Sequence, residues 1–237
     1  LGGASVSGLS GEPVLYEWSV VTGQARPLTA GQGGTLRPMS GLRAGTLSPD
    51  GSKALWEEPG PVMTGDANRS LDVVVGPGVD GGSELLSLRA PGVPLVTAGG
   101  ASAPVARSVS GDSRWVLFTS LAQDLVEPPI PGQPGPQLFL RDQEAGVTRW
   151  ITKPATGGVP APGTLGEAVL AGDGSRVFFT SNRGDLVTGD TNGTSDVFLH
   201  DRPADMLRAL SVRSSGAGLA APNLRGSGRQ SGITISV

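Results

Sequence analysis

LAGDGSRVFFTS, residues 170 to 181, is written twice more in this chain, as LSPDGSKALWEE from Leu47 and as VSGDSRWVLFTS from Val109. The anchoring carboxylates Asp50, Asp112 and Asp173 stand 62 and 61 residues apart, and six residues after each comes an aromatic: Trp56, Phe118, Phe179. In the third copy EAVLA reads as a strand, and GDGS as a tight turn in which Gly174 supplies a positive φ. RVFFTS follows as a second strand, rich in β-branched and aromatic residues. DVFLHD is a third strand, and LRALSV, with apolar and polar residues alternating, is a fourth.

The match extends beyond this stretch. TGDANRSLDVVV (Thr64 to Val75) pairs with TGDTNGTSDVFL (Thr188 to Leu199), while the middle copy has PGPQLFLRD (Pro134 to Asp142) there and lacks the acidic loop. EPVLYEWSVVTGQARPLT, from Glu12, fits the same slot and the end of the repeat. Four antiparallel strands per unit of about 60 residues predict an all-β chain, a β-propeller of four-stranded blades. One such sheet cannot bury both faces alone, whereas neighbours in a ring bury them mutually. A β-sandwich would also give short strands at regular spacing, but it has no reason to repeat its sequence at this period. The units run approximately over 1–43 (partial), 44–105, 106–166, 167–229 and 230–237. The chain begins at Leu1 without Met and ends at SGITISV, where a next turn is due. That reads either as a piece of a larger propeller or as a ring of about four blades, closed by Ile233 to Val237 against the N-terminal strands.

Composition agrees and excludes. Of 237 residues 38 are Gly and 20 Pro, which interrupts helices too often for a mainly helical fold. Lys and Arg (18) are interspersed with Asp and Glu (21), so no basic stripe offers a nucleic-acid or anionic membrane surface. No apolar run is long enough to span a bilayer. Cysteine is absent, which removes disulfides, thiolate metal sites and cysteine nucleophiles, and leaves the compartment open.

The S-x-D-G-S-R-x-x-F-x-S unit, the GDLVTGDTNGTSDVFLHDR run and the SVRSSG strand resemble TolB-type, WD-like β-propeller repeats of secreted bacterial proteins. The resemblance covers nearly the whole chain, strongest from Val169 to Gly216 and weakest between Glu127 and Pro136. It implies the fold and a secreted or periplasmic location. It says little about activity, since such propellers serve in interaction proteins and in peptidases alike.

Catalytic groups are scarce. The single histidine, His200, lies in DVFLHDR and is expected at a solvent-facing or blade-edge position. No Gly-x-Ser-x-Gly elbow, phosphate loop or zinc-binding histidine pair occurs. Trp56, Phe118 and Phe179, with Leu15, Phe139 and Phe198, read as inter-sheet core. Trp18 and Trp150 stand nearer the blade edge, where they either line a ligand surface or pack the outer strand. The expected function is therefore a non-enzymatic scaffold binding a protein, peptide or glycan. Two alternatives stand beside it: the propeller of a larger serine peptidase, and a calcium-dependent structural or adhesive module. The last rests on oxygen-bearing side chains at alternate positions, Asp190, Asn192, Thr194 and Asp196, and again Asp66, Asn68, Ser70 and Asp72. Calcium takes six to eight oxygens, which tight loops with alternating ligands supply. The competing reading is an Asx-turn network capping the loop backbone.

Overall fold

The computed structural model describes residues 16–27, 47–59, 68, 70–76, 83–90, 98–132 and 135–212. Leu15, Asp66 and the segment Ile233 to Val237 lie outside them. Among the described residues there are strands, turns and no helix. Two sheets are complete four-stranded antiparallel meanders. One joins β6 (Ser102–Val109), β7 (Trp115–Ser120), β8 (Gln137–Asp142) and β9 (Val147–Trp150). The next joins β10 (Leu165–Leu170), β11 (Arg176–Ser181), β12 (Asp196–Asp201) and β13 (Met206–Ala209). Before them comes a three-stranded sheet of β3 (Ala54–Glu58), β4 (Asp72–Gly76) and β5 (Glu84–Leu85). Leu47 bridges Ala54 on its free edge. A first hairpin pairs β1 (Tyr16–Trp18) with β2 (Ala25–Pro27).

The turns follow from their residues. Gly51 and Gly174 sit at φ +70° and +68°, the left-handed region that glycine enters without steric cost. The middle copy puts Ser113 there, at φ +58°, a conformation that costs a residue with a Cβ. Asp50, Asp112 and Asp173 each accept the backbone N–H two residues on, at 2.9–3.0 Å, closing the turn.

Burial distinguishes stacked blades from a sandwich. In a two-sheet sandwich each sheet buries one face and solvates the other. The β6–β9 sheet is covered on both. Val116, Phe118 and Phe139 pack with Leu55, Val73 and Val75 of the preceding sheet. Leu117, Leu138 and Leu140 pack with Leu170, Val177 and Phe179 of the following one. The aromatics at equivalent positions face backwards: Phe118 stacks on Phe139 (5.7 Å) and Phe179 on Phe198 (5.3 Å), each pair against the sheet before it. The last described sheet alternates, with Val177 and Phe179 buried and Arg176 exposed along β11. The sheets are thus three antiparallel blades of three or four strands in series, and the described residues do not include a closed ring.

One position, His200, differs from the sequence expectation, and Trp150 takes the outer-strand packing of its two alternatives. His200 is buried rather than at a blade edge. The reason is that β12 is an interior strand, where His200 stands between Val177 of β11 and Leu207 of β13. Trp150 packs half-buried against the core, with its Nε1 donating to Gln137 Oε1 and Thr152 Oγ1 (3.1 and 3.2 Å). Trp18 is 58% exposed.

Candidate functional site

Meanders place alternate connections at opposite ends of each sheet. At one end the turns are short: 110–114, 143–146, 171–175 and 202–205. At the other the connections are long: 121–132 with 135–136 described before β8, 151–164 and 182–195. The acidic loop chosen from the sequence belongs to the long end, just before β12.

Its residues mostly bind one another. Asn192 Oδ1 accepts the Thr194 N–H (2.9 Å), an Asx turn, and Asn192 Nδ2 donates to Asp196 Oδ2 (2.8 Å). Ser211 Oγ donates to Asp196 Oδ1 (2.5 Å) and accepts the Val197 N–H (3.1 Å). The first copy repeats this. Asn68 Oδ1 accepts the Ser70 N–H (2.8 Å) and Asn68 Nδ2 points to Asp72 Oδ1 (3.4 Å). Ser87 Oγ donates to Asp72 Oδ1 (2.7 Å) and takes the Val73 N–H (3.3 Å). The structure therefore brings Asn192 to Asp196 and Asn68 to Asp72, and it uses Thr194 and Ser70 through their backbone. Asp66 lies outside the described residues.

Asp190 stands apart. It is 8% exposed, and neither carboxylate oxygen reaches hydrogen-bond geometry with any group of the described residues. Desolvation, followed by the charge of Asp196, holds its carboxyl above the ordinary range, against a smaller pull from the Asn192 N–H. Among the described residues no three His, Asp or Glu side chains converge as a metal-holding group.

The middle copy lacks the acidic loop but keeps the pairing in neutral form. Thr152 Oγ1 donates to Gln137 Oε1 (2.8 Å) and accepts the Leu138 N–H (3.1 Å). Arg183 of the following sheet, buried, donates through Nη1 to Gln137 Oε1 (2.9 Å) and the Thr152 carbonyl (3.1 Å). It grips Asp185 with Nε and Nη2 (2.9 and 2.7 Å). Burial raises the Asp185 carboxyl, but the Arg183 and Ala161 hydrogen bonds outweigh it, and its pKa falls below the usual carboxylate value. Asp185 and Asp124 also tie sheet to sheet. Their carbonyls accept the N–H of Ala155 (2.8 Å) and Ala90 (2.9 Å), just past the preceding sheet's last strand.

These pairs escaped the sequence reading, although a signal was present. The hydroxyl follows its acid or amide by 15 residues each time: Asp72 and Ser87, Gln137 and Thr152, Asp196 and Ser211.

His200 offers little to a reaction. Its Nε2 lies 3.4 Å from Asp205 Oδ1, and its Nδ1 has no hydrogen-bond partner among the described residues. Desolvation lowers its pKa despite the Asp205 carboxylate, so the neutral imidazole prevails.

No family description and no curated protein matches the chain. Among solved structures it is similar to a TolB of Agrobacterium tumefaciens, at 14% identity and a TM-score of 0.44, over 86% of this chain and 57% of that one. It is also similar to a prolyl endopeptidase structure, at 16% identity and a TM-score of 0.45, over 83% of this chain and 26% of that one. A third is the tricorn protease, at 14% identity and a TM-score of 0.24, over 83% and 20%. The chain thus spans little over half the length of the TolB structure and about a quarter of the endopeptidase. No helix among the described residues is long and apolar enough to cross a membrane.

Proposed function

We propose that this chain is a non-enzymatic propeller scaffold, secreted or periplasmic, that binds a protein, peptide or glycan through the long-connection end of its blades. The observation that carries the reading is the asymmetry of the two ends. Connections of more than a dozen residues without secondary structure are uncommon unless they serve a function, and here they line up at one end of successive sheets. Their polar groups near the strands hold sheet to sheet. Two large apolar side chains stand out there, Leu121 at 50% and Val159 at 62% exposure. The extracytoplasmic location rests on the resemblance of the repeats alone.

The test has two arms. Purified chain is screened against glycan arrays and displayed peptide libraries, then re-screened as a Leu121→Ser, Val159→Ser double variant and as Val147→Ser at the short-turn end. Ligands should be lost by the first and kept by the second. Ligands that survive the double variant refute the assignment of the face. In the second arm the chain meets chromogenic peptide and ester substrates. Turnover abolished by His200→Gln refutes the non-enzymatic reading.

A further inference from the structure

Asp190 stands apart from the neighbouring carboxylates, being buried with neither oxygen in a hydrogen bond. Asp142 is held by Arg114 (2.9 and 2.7 Å), Asp185 by Arg183, and Asp196 by Ser211 and Asn192. Asp190 has no such donor, and the charge acting on it is that of Asp196, buried nearby and of the same sign. An ionised carboxylate removed from water and left without a counter-charge is costly. Two buried carboxylates in one short loop, one of them with neither oxygen in a hydrogen bond, call for a positive partner.

We propose that the loop 189–196 holds a hard divalent cation, calcium, between Asp190 and Asp196. This goes beyond the scaffold reading and does not depend on it. The donor chemistry is oxygen only, with no sulfur or imidazole in the loop, which selects hard cations over zinc or copper. Two carboxylates balance one divalent charge. Asp190 has both oxygens free to ligate, Asp196 has lone pairs beyond those its two donors use, and Thr194 puts a neutral hydroxyl in the same loop. Asn192 departs from the alternating-ligand pattern. Its oxygen closes the Asx turn and its amide nitrogen steers Asp196, so it is a positioning residue rather than a ligand. Gly189 and Gly193, at φ +87° and +64°, fold the chain back on both sides of Asp190 and Asn192.

The whole chain is stripped of metal, and its melting temperature is followed in chelator and through a calcium titration at constant ionic strength, with magnesium in parallel. Equilibrium dialysis against radioactive calcium measures bound ion directly. At a hundredfold excess over Kd, a rise of roughly 5–10 °C is expected for a chain of this size. Asp190→Asn should lose one bound calcium and the rise that goes with it. It should melt no lower than the parent in chelator, because a neutral amide replaces an uncompensated anion. Glu144→Gln, an exposed carboxylate elsewhere, should keep both responses. No bound calcium at 10 mM or so, calcium retained in full by Asp190→Asn, or an equal response to magnesium at equal concentration would each overturn the proposal. Terbium luminescence decay in H₂O and D₂O gives a readout that needs no variant: an ion that keeps its full hydration shell also overturns it.

Discussion

Thr152→Val tests whether the repeated hydroxyl pairing holds the blades together. The replacement is close to isosteric and Thr152 is 1% exposed, so neither a cavity nor a change of solvation confuses the result. Three hydrogen bonds go: to Gln137 Oε1 (2.8 Å), from the Leu138 N–H (3.1 Å) and from Trp150 Nε1 (3.2 Å). Gln137 keeps Arg183 and Trp150, and Trp150 keeps Gln137, so those two partners lose little. The N–H of Leu138 loses its hydroxyl acceptor inside the sheet. An orphaned buried donor costs about 1–3 kcal/mol, and a neutral hydrogen bond adds about 0.5–1.5 kcal/mol. We expect a net loss of about 2–3 kcal/mol in urea unfolding, read from the midpoint with the slope unchanged. Ser87→Ala, which removes the counterpart in the preceding sheet, should cost a similar amount. Losses below about 0.5 kcal/mol in both would refute the idea that the pairing contributes to stability.

Phe179→Ala removes a fully buried ring stacked on Phe198 and should cost roughly 3–5 kcal/mol, with a loss under about 1 kcal/mol in urea unfolding counting against the inter-sheet core. Gly174→Val places a branched side chain at φ +68° and against the Trp115 indole, and it should lower the melting temperature far more than Ser175→Ala; equal shifts would sink the turn assignment. Ser113→Gly should stabilise by up to about 1 kcal/mol, because glycine occupies that backbone region without strain, and thermal melts would show a fall instead if the side chain mattered more. His200 is the only histidine, so its ring proton resonance in NMR is unambiguous. Its midpoint should fall below 6.5, and the native state, favouring the neutral ring, should lose stability as pH drops through 6.5 towards that midpoint; a midpoint above 6.5 contradicts the burial.

The sequence made the turns and the aromatic positions legible because they depend on local geometry. An Asp that caps its own turn and a glycine at positive φ must appear at fixed offsets, and Asp50, Asp112 and Asp173 do. The inter-strand pairing was harder to see. Its chemistry survives while its letters change, Asp with Ser in two sheets and Gln with Thr in the third. An alignment that seeks carboxylates therefore finds an empty slot at Gln137. Arg183 was hidden for a related reason: its counterpart in the previous copy is Ala122, and the pairing that ties Asp124 there comes instead from Arg89 on the other side of the interface. His200 was misplaced because a strand's alternation says which side chains share a face, not whether the strand is interior to its sheet. Within the acidic loop, residue spacing suggested equal roles for four side chains, and only the hydrogen bonds separate the self-satisfied Asn192 and Asp196 from the solitary Asp190.

A sheet covered on both sides has a consequence for how this chain comes apart and how it can be lengthened or shortened. The β6–β9 sheet is a keystone: opening either interface uncovers one of its apolar faces, so its amides should exchange with solvent slowly. The hairpin β1–β2 and the outermost β13 have the least to lose and should fray first. Cutting within a unit leaves a half-covered sheet, whereas removing or inserting one whole period of about sixty residues restores every junction. Such an array grows and shrinks by complete modules, and its cohesion resides in the junctions between them rather than in any single sheet.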